Sequence, residues 1–133
     1  MSKKRAAIAL LGLFAGARLA AGGDWSNWRG PARNGVSDEK GLVSTWSKKT
    51  GENLLWRDDF TGRSTPVVMQ GRVCANGRVG TGLLRQEMVA CWDAGTGKRL
   101  WERRFVVYNT TVPFTRVGWA AVAGDPETGY VYA

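Results

Sequence analysis

The stretch Cys91-Trp92-Asp93-Ala94-Gly95-Thr96-Gly97-Lys98-Arg99-Leu100-Trp101 constrains the fold more than any other part of the chain. Asp93 and Thr96 offer side-chain acceptors to a tight turn, Gly97 accepts a positive φ that a β-carbon resists, and Leu100-Trp101 restarts an extended apolar run. The pattern is strand, turn, strand. From Leu54 onward short apolar runs alternate with turn signals, as they do in all-β proteins, and no segment sustains a helical period.

Laid out in order, Thr65 to Met69, Gly71 to Gly77, Glu87 to Trp92 and Leu100 to Phe105 read as four consecutive strands. Their short or moderate connections predict an antiparallel meander forming one sheet over roughly 65–105. Leu54 to Arg57 reads as an earlier strand. Val117 to Val122 begins the pattern again, Asp125 to Gly129 makes a turn, and Tyr130 to Ala133 opens a second strand. Cys74 and Cys91 are the only thiols and fall on two of the predicted strands. A bridge needs Cα atoms within about 7 Å, which spacing does not establish. The pair therefore reads as two buried free thiols, with a cross-strand disulfide as the alternative.

Residues Met1 to Gly23 have the layout of an export signal: Lys3, Lys4 and Arg5, then an apolar run from Ala6 to Ala17, then the small residues Ala20 to Gly23. The run is short for a membrane span and is closed by Arg18. No cysteine precedes Cys74, so a lipid-attachment signal is not expected, and the expected destination is the periplasm or the exterior. Without this segment the formal charge of +8 falls to +4, fifteen basic residues against eleven acidic ones. The remaining basic residues are scattered among acids, which argues against nucleic-acid binding. The chain has no histidine, and with it lacks the commonest general base and metal ligand. Residues 24–53 mix tryptophan with turn-formers without a period and read as an ordered arm lying across a surface.

Three stretches together carry a family resemblance. They are Trp28-Arg29-Gly30-Pro31 with Asn34-Gly35-Val36-Ser37, the turn Asp93 to Lys98 followed by Trp101, and Arg116-Val117-Gly118-Trp119 followed by Asp125-Pro126-Glu127-Thr128-Gly129 and Val131-Tyr132-Ala133. In these the chain resembles bacterial secreted proteins with PQQ-like (pyrroloquinoline-quinone-like) β-propeller repeats, the group likened to the outer-membrane assembly propeller BamB. The resemblance implies a partial β-propeller over 54–133, with one complete four-stranded blade and parts of two others. Closed propellers have about four to eight blades, so the chain is expected to be an N-terminal fragment. In such repeats Asp93, Thr96, Gly97, Lys98 and Trp101 are implied to form a tryptophan-docking motif, in which a tryptophan stacks on the peptide at the glycine of a neighbouring repeat. Leu54 to Arg57, with Trp56, is implied to be an outer strand of a last blade lying elsewhere in the protein.

No catalytic, cofactor or metal residue is assigned by this reading. Trp46, Trp56, Trp92 and Trp101 are expected to pack between blades, because burial of an indole needs no ligand to explain it. Arg116 and Trp119 are the candidate channel residues, Arg116 because its planar fork suits an anion or a partner carboxylate. Asp58 and Asp59 are neighbours on an extended segment, so they point apart and read as a solvated strand end. The expected function is an exported, non-enzymatic scaffold that holds a protein or an extended chain at its surface. The alternative is a fragment of a quinone-dependent dehydrogenase using PQQ and calcium.

Overall fold

The structure, a computed structural model, describes residues 23–107 and 117–133. The chain folds as an all-β protein around a four-stranded antiparallel sheet, β1 (Val67–Met69), β2 (Arg72–Val79), β3 (Gln86–Asp93) and β4 (Arg99–Val106), in the order β1-β2-β3-β4. This is the meander read from the sequence, with no boundary moved by more than two residues. Gln70-Gly71 closes the first hairpin, with both residues at positive φ. A 3-10 turn, Gly82–Leu84, lies in the second connection. A short hairpin of β5 (Ala123–Gly124) and β6 (Val131–Tyr132) follows, with β5 packed beside β1. The expected new strand at Val117 to Val122 is displaced: Val117-Gly118 is a turn, and pairing begins at Ala123.

Alternation along β2 and β3 gives the sheet two apolar faces. Val67, Cys74, Val89 and Cys91 form a buried cluster with Val122, and Trp101 and Val131 pack against it. Ala75, Ala90 and Trp92 form a second cluster, covered by Trp56 and Phe60. One face is thus covered by the β5–β6 hairpin and the other by the chain preceding β1. Leu54 to Arg57, expected to be a strand, pairs with no strand among the described residues. Its contribution is the side chain of Trp56, and the backbone that does pair lies further on, where the Arg78 N–H donates to the Thr61 carbonyl at 2.7 Å.

Cys74 and Cys91 are disulfide-bonded, which corrects the reading of two free thiols. Their Cα atoms are 4.1 Å apart, because the β2–β3 register sets them directly opposite one another. That register depends on the turn and the intervening loop, so residue spacing alone could not supply it.

The start of the arm, Asp24 to Ser26, lies along the outer edge of β1. The Trp25 N–H donates to the Val68 carbonyl at 2.6 Å and the Val68 N–H returns a bond to the Trp25 carbonyl at 2.9 Å. The buried Ser26 carbonyl accepts from the Gly124 N–H at 2.7 Å, and the Asp24 carboxylate accepts from the Gln70 N–H at 3.0 Å. The arm therefore satisfies an otherwise open edge and ties β1 to the β5–β6 hairpin. Trp25→Pro, which removes the N–H that donates to Val68, is expected to lower the melting temperature and to speed exchange of the Val68 amide more than that of β3 amides. Hydrogen exchange resolved to single residues checks this, and equal acceleration in β3 would show that the arm is not a local strap.

Candidate functional site

The most elaborated local structure is the turn between β3 and β4. The Asp93 carboxylate accepts from the Thr96 N–H at 2.8 Å and the Thr96 hydroxyl at 2.7 Å, while the Thr96 hydroxyl accepts from the Lys98 N–H at 3.3 Å. The backbone closes with Gly97 N–H to the Asp93 carbonyl and Asp93 N–H to the Lys98 carbonyl, both at 2.9 Å. Asp93, Thr96, Gly97 and Lys98 are thus brought together as the sequence suggests.

Gly97 has φ +71°, and a β-carbon there would lie 2.6 Å from the indole of Trp56. Glycine is required twice over, by the backbone conformation and by the ring on top of it. The Trp56 Nε1–H donates to the Ala94 carbonyl at 2.7 Å, which fixes the ring on the turn across 38 residues of sequence. The tryptophan that covers Gly97 is therefore Trp56. Trp101 lies on the opposite face of the sheet, half-buried against the Cys74–Cys91 cluster and directly across from Cys91.

Asp58 extends the contact. Its carboxylate accepts from the Trp92 Nε1–H at 2.8 Å and from Arg99 at 2.8 and 3.0 Å, and Arg99 also reaches Glu102 at 2.9 Å. The Arg99 guanidinium lies 5.5 Å from the centre of the Trp92 ring, and Phe60 meets that ring edge-on at 4.9 Å. Burial by itself would lower the Arg99 pKa, but the bonds to Glu102 and Asp58 outweigh it and raise the value. Glu102 is held below the usual glutamate range by Arg104 and Arg99. Asp58 is thus an anchor of the sheet face and not the solvated strand end expected of it. Asp59 bonds the exposed Arg57 at 2.9 Å, so the two carboxylates share no site.

The turn between β5 and β6 repeats the first one. The Thr128 hydroxyl donates to Asp125 at 2.6 Å, the Gly129 N–H to the Asp125 carbonyl at 2.8 Å, and the Asp125 N–H to the Tyr130 carbonyl at 2.9 Å. Gly129 has φ +74°. Hydrogen bonds from Thr96 hold Asp93 below the usual aspartate range, and the Thr128 hydroxyl followed by the Glu127 N–H does the same for Asp125.

Among the other expected site residues, Trp119 is 45 % exposed, with the Arg63 guanidinium 5.3 Å from its ring centre. Arg116 lies outside the described residues, as does the signal-like segment before Gly23. Trp92 is buried and Trp56 and Trp101 are half-buried, whereas Trp46 is 69 % exposed and is not a packing residue among the described ones. No group of three or more His, Cys, Asp or Glu side chains suited to a metal ion is found among the described residues. No helix among them is long and apolar enough to cross a membrane. Trp56 and Asp58 are the residues that sequence reasoning misplaced. The signal that would have located Trp56 is the run Thr50-Gly51 to Leu55-Trp56, a near copy of Thr96-Gly97 to Leu100-Trp101.

Comparison with known protein families, with curated proteins and with solved structures finds no match for this chain.

Two predictions follow from the turn. Trp56→Ala and Gly97→Ala are each expected to cost about 2 kcal/mol, the first by removing a half-buried ring and the second by strain and overlap. The double variant should cost at least about 1 kcal/mol less than their sum, because both remove the same contact. Urea unfolding checks this, and simple additivity would refute the coupling. For pH, the folded-state values of Asp93 and Asp125 lie below the unfolded ones, so their contribution is present above about pH 4 and is lost as pH falls through the folded values. The Asp93→Asn, Asp125→Asn variant should show a flatter loss of stability below about pH 4 in acid titrations followed by circular dichroism.

Proposed function

We propose that this chain is built of propeller-type repeats and acts as an exported, non-enzymatic scaffold of the bacterial cell envelope, holding a protein or an extended chain. The observation that carries this reading is the docking of Trp56 on Gly97, with its Nε1–H bonded to Ala94. A tryptophan that follows a Thr-Gly pair is received by the Asp-x-x-Thr-Gly turn of the next unit. A further feature supports a repeat: the turn between β5 and β6 is the same aspartate-threonine turn as that at Asp93. On this reading Asp93, Thr96, Gly97 and Lys98 receive Trp56 from the preceding repeat, Trp101 packs against the cluster that includes Val122 of the following one, and Trp119 is the candidate channel residue among the described ones. The signal-like start, Met1 to Gly23, supports a destination in the periplasm or outside the cell, and on the same reading the chain is an N-terminal piece of a longer propeller.

The scaffold reading is preferred to the quinone dehydrogenase because the most elaborated contacts serve packing. Asp58, Arg99 and Glu102 satisfy one another and the Trp92 indole, leaving none of them poised for proton transfer. Fold likeness alone carries no activity. The test has two parts. The coding sequence beyond Ala133 is expected to continue in frame with further Asp-x-x-Thr-Gly-Lys turns followed by tryptophan. The product of that longer frame, mixed with PQQ and calcium, is expected to show neither quinone absorbance after gel filtration nor alcohol-dependent dye reduction. A redox-active holoprotein would establish the dehydrogenase instead.

A further inference from the structure

The β2–β3 register places Cys74 directly opposite Cys91, and both side chains are fully buried among Val67, Val89 and Val122. We propose that this disulfide is a redox gate on folding: the oxidised chain holds the sheet and the reduced chain does not. The chemistry is a thiol–disulfide exchange. One cysteine thiolate attacks the disulfide of a thiol–disulfide oxidoreductase or of oxidised glutathione, and a mixed disulfide forms. The second thiolate displaces it, leaving Cys74–Cys91 bonded and the oxidant reduced by two electrons to its thiols, which take up the two protons.

Three observations carry the gate. The first is space. Nonbonded heavy atoms need about 3.5–4.0 Å between them, whereas bonded sulfurs need about 2 Å. Reduction therefore requires the two fully buried sulfurs to move about 1.5–2 Å apart inside a valine-lined cluster, a crowding that costs packing there. The second is position. The bond joins the two middle strands of the sheet and closes a loop of separation 17, enough to shift the folding equilibrium by roughly 100-fold.

The third observation is access. With no exposure at either cysteine, neither oxidant nor reductant reaches the sulfurs in the folded sheet. The bond therefore forms before the sheet closes and is protected afterwards. A compartment that keeps thiols reduced holds the chain loose, and an oxidising one locks it. That last consequence rests on the export reading, whereas the gate is a property of the chain itself and is tested on purified protein.

The full chain is unfolded in denaturant with reductant and then refolded either with oxidised glutathione or with dithiothreitol. Thiols are counted with a maleimide that shifts mass, and native-state digestion by thermolysin is timed. The oxidised chain is expected to have no reactive thiol and to be cut roughly 100-fold more slowly than the reduced chain. The Cys74→Ala, Cys91→Ala variant loses the cross-link but also the crowding, so in dithiothreitol it should be cut more slowly than the reduced parent. Dithiothreitol added to the folded oxidised chain without denaturant should free no thiol within the digestion time. Equal digestion of oxidised and reduced parent, whether both resist or both are cut, overturns the gate. Rapid release of thiols from the folded chain overturns its protection by burial.

Discussion

Val67, Cys74, Val89 and Cys91 line one face of the β1–β4 sheet, and Ala75, Ala90 and Trp92 line the other, so both faces have to be kept from water. A four-stranded meander cannot do this alone. The β5–β6 hairpin supplies Val131 to the first face and the residue before it supplies Val122, and the segment before β1 supplies Trp56 and Phe60 to the second. The two covers are held differently. The hairpin is tied through the arm, where Ser26 receives the Gly124 amide. The other cover is tied through indole donors, Trp56 to Ala94 and Trp92 to Asp58.

The same aspartate-threonine turn occurs twice with different duties. At Asp93 it joins β3 to β4 and receives the Trp56 ring on Gly97. At Asp125 it joins β5 to β6, and the nearest side chain to Gly129 is the amide of Gln70. The internal bonds of the two turns are alike because they arise from neighbouring residues, Asp, Thr and Gly at fixed offsets. What lies on the glycine is a long-range matter, and it differs.

This contrast explains how much was legible beforehand. The meander and the two turns were readable because strand patterning and turn chemistry depend on residues near one another in the chain. Trp56 was misplaced because its partner turn lies about forty residues away, and Asp58 because its two donors, Trp92 and Arg99, come from strands that reach it only after the sheet has formed. The Trp46 ring was expected inside for its chemistry alone, and it lies outside because no cover passes over it.

Residue type and spacing by themselves determined that this chain is all-β, that four strands follow one another between residues 65 and 105, and that Asp93 to Lys98 turns on Gly97. These are local matters of torsion and side-chain acceptors. Only the tertiary structure decided that Cys74 faces Cys91, that Trp56 is the ring on that turn, and that Asp58 closes the face over Trp92. Each of these depends on strand register and on the path of a distant segment, which the packing of the whole sheet selects.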